Sequence, residues 1–175
     1  SYIERVREFE RNVRFIVDKM PHNFLRIGLI RLILPNSRII HCLRDAREVC
    51  LSNYRTNFTN EGLAYSYDLD DLIHYYGLYR KIMDHWYSLF GADIIEMDHA
   101  KMVKDPEAEI RRLLAACDLE FVPECLEFHK TKRSVQTASV TQVRQPIYDP
   151  TKRGWRKYAD YLPELHALDK YADPT

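Results

Sequence analysis

Apolar side chains at Val6, Phe9, Val13 and Ile16 recur at the spacing of one helix face, so Tyr2 to Val17 reads as a helix. Its last part, Phe15-Ile16-Val17, equally suits a short buried strand ending at Asp18. After Pro21, the run from Asn23 to Leu34 has amphipathic helical spacing and stops at Pro35-Asn36. Arg38 to Leu43, centred on Ile39 and Ile40, predicts a strand, and Ala46 to Tyr54 returns to helical spacing. Asn60-Glu61-Gly62 predicts an exposed loop. Asp70 to Phe90 has the length and period of a long helix, with Asp70 as N-cap and Gly91 at its end. Asp93 to Met97 predicts the next strand, and Pro106 opens a helix reaching about Cys117. A short helix near Glu124 to His129 follows, then a polar, basic stretch to Gly154 and a final helix after Pro163.

Strands alternating with helices predict the α/β class, with a largely parallel sheet flanked by helices. A chain of 175 residues, 46% of them apolar, can bury one core, so a single domain spanning 1–175 is expected. Ligands in such sheets bind beyond the carboxyl ends of the strands. That rule points to Asp18-Lys19, to Leu43-Arg44-Asp45 and to Met97 through His99.

Charge narrows the ligand class. The formal net charge is zero, yet positions 61–127 hold fifteen acids against six bases, and positions 128–175 nine bases against five acids. The bases gather between Lys130 and Lys157. A cationic segment on a neutral chain favours a small anion over a nucleic acid; a solvated basic loop is the plainer alternative. No apolar run approaches the roughly 20 residues needed to span a bilayer, and the amino end has no signal-peptide pattern. Cys42, Cys50, Cys117 and Cys125 form no CxxC pair, and no His/Cys cluster has a zinc spacing, so no metal is expected. The cysteines read as reduced, buried thiols, which suits a cytoplasmic setting.

Within RIIHCLRDAREVCLSNYRTNF, Arg44 falls at the carboxyl end of the predicted strand and Ser52 two helical turns farther on. An arginine fork beside a helix amino terminus favours phosphate, and a hydroxyl on the same helix can donate to it. The competing reading pairs Arg44 with Asp45 or Glu48 and leaves Ser52 as an ordinary surface residue.

Arg44 to Ser52, with the preceding PNSRIIHC, resembles the 3′-phosphate-binding segment of sulfotransferases that use 3′-phosphoadenosine 5′-phosphosulfate (PAPS). DKMPHNFLRIGLIRLILPNSRIIH, the region around MVKDPEAEIRRLL, and TASVTQVRQPIYDPTKRGWRKYADYL resemble successive blocks of the tyrosylprotein-sulfotransferase-like branch. That branch includes domains joined to tetratricopeptide repeats, and the similarity covers about Phe15 to Leu168. The resemblance implies a P-loop-NTPase-like sulfotransferase fold and transfer of a sulfuryl group from PAPS to an acceptor hydroxyl. PAP (3′,5′-ADP) would be the product, and no metal is required.

The same resemblance assigns roles. Arg44 and Ser52 correspond to the residues that grip the donor's 3′-phosphate, with Ala46 in place of the usual proline or glycine. Lys19 matches the lysine that approaches the transferring sulfate and the bridging oxygen. Ser139 resembles a serine near the reacting centre. His99 stands where related members have a tyrosine stacked on the adenine. Lys152, Arg153 and Gly154, followed by Trp155, correspond to the segment closing over the 3′-phosphate, although the usual Gly-Arg-Trp order reads Arg-Gly-Trp here. Trp155 and Tyr158 read as packing residues, and the histidines other than His99 as structural or exposed.

Donor recognition in that family also needs a glycine-containing loop that cradles the 5′-phosphosulfate with backbone amides. None of the five glycines lies in such a setting. The expectation is therefore a chain that lacks its amino-terminal portion, with the phosphosulfate loop and general base, and that is inactive alone. Tetratricopeptide repeats upstream would fit the branch. Two alternatives stay open: a catalytically inactive adenine-nucleotide-binding or interaction module, and an unrelated phosphate-binding α/β domain. The acceptor class is left as a peptide tyrosine, a carbohydrate or a small lipid-like hydroxyl. Tyr65, Tyr67, Tyr75, Tyr76 and Tyr79 either line an acceptor cleft or pack as core.

Overall fold

The computed structural model describes residues 4, 13–58, 61–130, 144–145, 147 and 154–171. Two strands, β1 (Ile39–Leu43) and β2 (Ile94–Asp98), pair in parallel, with Ile39 opposite Ile94 and Leu43 opposite Asp98. Parallel strands need a crossover connection. Here it consists of α2 (Ala46–Tyr54), a 3-10 helix (Glu61–Tyr67) and the long α3 (Leu69–Phe90). A helix precedes β1, entered through a 3-10 turn (Pro21–Arg26) and continued as α1 (Ile27–Ile33). After β2 come α4 (His99–Lys104), α5 (Pro106–Ala116) and 3-10 helices at Pro123–Lys130, Trp155–Lys157 and Pro163–Tyr171. The class is α/β with a parallel sheet flanked by helices, as the alternation of patterns predicts.

The core follows from which faces the helices bury. Ala46, Cys50 and Leu51 share the inner face of α2, and Leu69 and Leu72 that of α3. Trp155, Leu165 and Leu168 close over them from the carboxyl-terminal segment. Trp155 and Tyr158 thus pack as expected.

Alternation along β1 places His41 inward, towards α3, and Ile40 and Cys42 outward. The imidazole lies between two hydroxyls of α3, Tyr79 on Nε2 and Tyr87 on Nδ1. Four aromatic rings from three elements meet nearby: Tyr65 and Tyr75 stack at 4.0 Å, and His22 and Phe24 pack edge-on against Tyr75. Among the described residues no helix is long and apolar enough to cross a membrane.

Several local expectations are corrected. Residues 13–20 form neither helix nor strand and are exposed, Val17 at 92%. A strand needs a hydrogen-bonded neighbour, and among the described residues β1 pairs only with β2. The N-cap of α3 is Asp68, whose carboxylate accepts from the Asp71 amide, rather than Asp70. Glu61 and Gly62 open a 3-10 helix instead of a loop. All four cysteines are free, but only Cys50 is buried, and Cys42 is exposed on the outer face of β1.

Candidate functional site

The carboxyl ends of the two strands lie side by side, because Leu43 is the register partner of Asp98. The next residues, Arg44 and His99, therefore sit at adjacent strand ends. Each strand passes straight into a helix through an aspartate cap. Asp45 accepts hydrogen bonds from the amides of Arg47 (2.9 Å) and Glu48 (3.2 Å). Asp98 accepts from the amides of Ala100 (2.7 Å) and Lys101 (3.4 Å). Such caps satisfy the first free amides of a helix and fix the angle at which it leaves the strand. Burial alone would raise the Asp45 carboxyl, but hydrogen bonds from Arg47 and the helix amides outweigh it and hold it below its ordinary value.

Arg44 reaches its side chain to Glu48, Nη2 to Oε2 at 3.3 Å. The pairing anticipated as the plain alternative is thus present, with Glu48 as partner, while Asp45 pairs with Arg47 at 2.6 Å. The other oxygen of Glu48 accepts the backbone amide of Trp155 at 2.7 Å. Gly154 and Trp155 are both buried, so this amide brings the carboxyl-terminal segment onto the same helix face as Arg44. Glu48 and Ser52 lie four residues apart on α2, and Arg44, just ahead of the Asp45 cap, reaches Glu48 with its side chain. Ser52 is exposed one turn beyond Glu48, and its carbonyl accepts from the Thr56 hydroxyl at 2.7 Å. Glu48 therefore stands between Arg44 and Ser52.

His99 is half-buried, and its imidazole is held below its ordinary value, first by burial and then by the charge of Arg44. Asp98 and Glu48 pull in the opposite direction. Arg44, Glu48 and His99 are thus electrostatic neighbours, with His99 neutral at pH 7. A neutral ring beside a guanidinium offers a flat surface next to a fixed positive charge.

Lys19 is exposed in the extended segment before Pro21, and Asn23 donates to Asp18 at 3.5 Å. His22, three residues on, reaches the Tyr65 hydroxyl at 3.5 Å, and Tyr65 packs against the core that carries α2. Ser139, Lys152 and Arg153 lie outside the described residues. The structure thus gathers Arg44, His99 and Gly154 around α2, sets Ser52 one turn beyond Glu48, and leaves Lys19 on a separate segment. Among the described residues no His, Cys, Asp or Glu cluster could hold a metal ion.

Two features went unrecognised in the sequence. The Arg47 guanidinium lies 4.2 Å over the Trp155 ring while pairing with Asp45 and Asp169. The Glu48–Trp155 contact joins residues 107 positions apart. Only the four-residue spacing of Arg44 and Glu48 was a legible signal.

A family model described as "Sulfotransferase family" matches residues 1–123. An "Uncharacterized protein" of Aquifex aeolicus (strain VF5) is 41% identical over 163 residues, covering 92% of this chain and 21% of that protein. A "Putative protein-tyrosine sulfotransferase" of Caenorhabditis briggsae is 25% identical over 167 residues, covering 87% of this chain and 59% of that protein. The chain thus spans about a fifth of the length of the first relative and about three fifths of the second.

Proposed function

We propose, from the premise that the chain belongs to the sulfotransferase family, that it forms the part of a PAPS-dependent enzyme that binds the 3′-phosphate and adenine side of the donor. One observation carries this: register places Arg44 and His99 at neighbouring strand ends, where the charge of Arg44 acts on the half-buried imidazole. An arginine fork suits a phosphate monoester, and a neutral imidazole suits a stacked purine. Ser52 would donate a further hydrogen bond from the exposed face of α2. The backbone at Gly154 would border the nucleotide, with Lys152 and Arg153 as further cations.

In the proposed reaction the sulfur of the transferring SO3 group gains a bond to the acceptor hydroxyl oxygen and loses its bond to the bridging phosphate oxygen. The hydroxyl proton goes to a base that we do not assign within this chain, and 3′,5′-ADP leaves. The protein's part is to align the two oxygens and stabilise charge on the leaving one. Lys19, a compact cationic donor, is the proposed group at the bridging oxygen, and Ser139 a proposed polar contact near the transferring group. The acceptor would be a hydroxyl of a peptide tyrosine, a carbohydrate or a small molecule.

Calorimetric titration of the full-length protein tests this. We expect 3′,5′-ADP to bind at least about tenfold more tightly than ADP, and Arg44→Ala to remove that preference. Equal affinity for the two nucleotides would instead indicate a generic phosphate-binding domain. Binding of 3′,5′-ADP without sulfation of any acceptor in a hydroxyl library would favour a nucleotide-binding module.

A further inference from the structure

The carboxylate of Glu48 is shared between two parts of the chain. Oε1 takes the Trp155 amide at 2.7 Å, and Oε2 faces Arg44 at 3.3 Å. The first is a firm charge-assisted hydrogen bond, and the second lies near the outer limit for one. The Glu48 side chain is only 17% exposed, against 31% for Arg44, so both contacts are partly shielded from water.

These lengths have a consequence for a ligand at Arg44. A guanidinium carries five N–H donors in a rigid fork and can offer one edge to an anion while keeping another on a carboxylate. The Glu48 contact engages one edge of that fork, and a phosphate would take another. The stronger contact holds main chain. Trp155 is 6% exposed and anchored through its ring to the core and to Arg47, so the backbone at Gly154 has little freedom once its amide is fixed.

We propose that Glu48 is a positioning residue that aims the Arg44 fork and ties it to the Gly154–Trp155 backbone, so that anion binding at Arg44 depends on a contact Glu48 makes elsewhere. The proposal rests on the reading of Arg44 as a nucleotide-phosphate ligand. Its electrostatic content runs against intuition. A carboxylate beside a phosphate site should weaken anion binding, so deleting it would tighten binding unless its positioning role outweighs its charge.

Two substitutions in the full-length protein separate these effects. Glu48→Gln keeps an oxygen for the Trp155 amide and removes the charge. Glu48→Ala removes both. We expect Glu48→Gln to keep the Trp155 amide protected from hydrogen exchange and to bind 3′,5′-ADP as tightly as the parent or more tightly. Glu48→Ala should exchange that amide about tenfold faster or more, in line with the loss of one charge-assisted hydrogen bond, and should bind 3′,5′-ADP less tightly than Glu48→Gln. Unchanged Trp155 exchange in Glu48→Ala, or 3′,5′-ADP binding by Glu48→Ala as tight as by Glu48→Gln, would overturn the proposal. Unaltered 3′,5′-ADP affinity in Arg44→Ala would reject the reading of Arg44 instead, and Trp155 exchange would still report on Glu48.

Discussion

His41 Nδ1 lies 2.7 Å from the Tyr87 hydroxyl, inside the layer between β1 and α3. The other ring nitrogen faces the Tyr79 hydroxyl, so a neutral imidazole can donate to one tyrosine and accept from the other. Protonation would leave both nitrogens as donors, in a place where burial already disfavours charge. Burial, helped by the nearby charge of Arg80, pushes His41 down to about 4 from 6.5, against an opposing pull from Glu96. In the unfolded chain the group accepts its proton near 6.5, so between these values the unfolded state binds more protons. The stabilisation is complete above about pH 6.5 and is lost as pH falls through about 4. The difference corresponds to roughly 3 kcal/mol. Urea unfolding at pH 7 and pH 4.5 should show this fall in the parent protein and a much smaller one in His41→Gln. Equal slopes for the two proteins would contradict it.

Gly28 on α1 lies directly against the Trp86 ring of α3. A Cβ built there would lie 2.9 Å from two ring carbons of Trp86, and the indole is held by its N–H donating to the Phe24 carbonyl at 2.7 Å. The ring cannot swing away without losing that bond. Gly28→Val should therefore destabilise by about 2 kcal/mol, even though glycine is a poor helix former. Trp86→Leu should make the valine better tolerated, giving a coupling of about 1 kcal/mol or more in a double-mutant cycle. Additive losses would place the strain elsewhere.

Sequence pattern served well wherever the signal was local. Ala46 to Tyr54 forms a helix over the range its spacing predicts, and Pro35-Asn36 and Pro106 bound elements as their backbone chemistry requires; α3 also ends at Gly91, but there the backbone stays right-handed and runs on into a 3-10 turn. The run Phe15-Ile16-Val17 shows where such reasoning stops. Its composition suits a strand, but a strand forms only against a paired edge, and pattern does not supply the neighbour. Asp70 reads as the cap of α3 from pattern, but backbone geometry puts the cap at Asp68, two residues earlier. The candidate site divides in the same way. Arg44 at a strand end was legible, whereas its neighbour relation to His99 depends on the register of strands separated by the whole crossover.

Arg47 fastens the carboxyl-terminal segment to α2. Its donors reach Asp45 at 2.6 Å and Asp169 at 2.7 Å while its plane covers Trp155 at 4.2 Å. A lysine would keep the charge and lose the fork and the stacking surface. Arg47→Lys should cost about 1–2 kcal/mol in urea unfolding and weaken the near-ultraviolet dichroism of Trp155. Arg47→Ala should cost more, about 2 kcal/mol, because both ion pairs and the packing of the side chain over Trp155 are lost. A lysine variant as stable as the parent would mean that the stacking contributes little.

On α1, Leu32 is 81% exposed, and Leu29 and Ile33 beside it are more than half exposed. A side chain that remains in water contributes little apolar burial. Leu32→Lys should change unfolding free energy by no more than about 0.5 kcal/mol in the 175-residue chain. A loss near 2 kcal/mol would show that this face is covered in solution.

On the proposed reading, Lys19 would act in the chemistry and leave binding to other residues. Its side chain is exposed on the segment before Pro21, on a separate element from Arg44, so the two should contribute to different steps. In the proposed reaction, 3′,5′-ADP would engage the phosphate side, whereas charge on the bridging oxygen would develop only during transfer. Lys19→Met should lower kcat by about a hundredfold or more, the scale seen when a donor to a developing oxyanion is removed. The Kd for 3′,5′-ADP should stay within about threefold of the parent, because that product lacks the transferring group. Turnover by the full-length protein and calorimetry on the same preparation measure both quantities. Proportional losses in the two would make Lys19 a binding residue and remove it from the bridging oxygen.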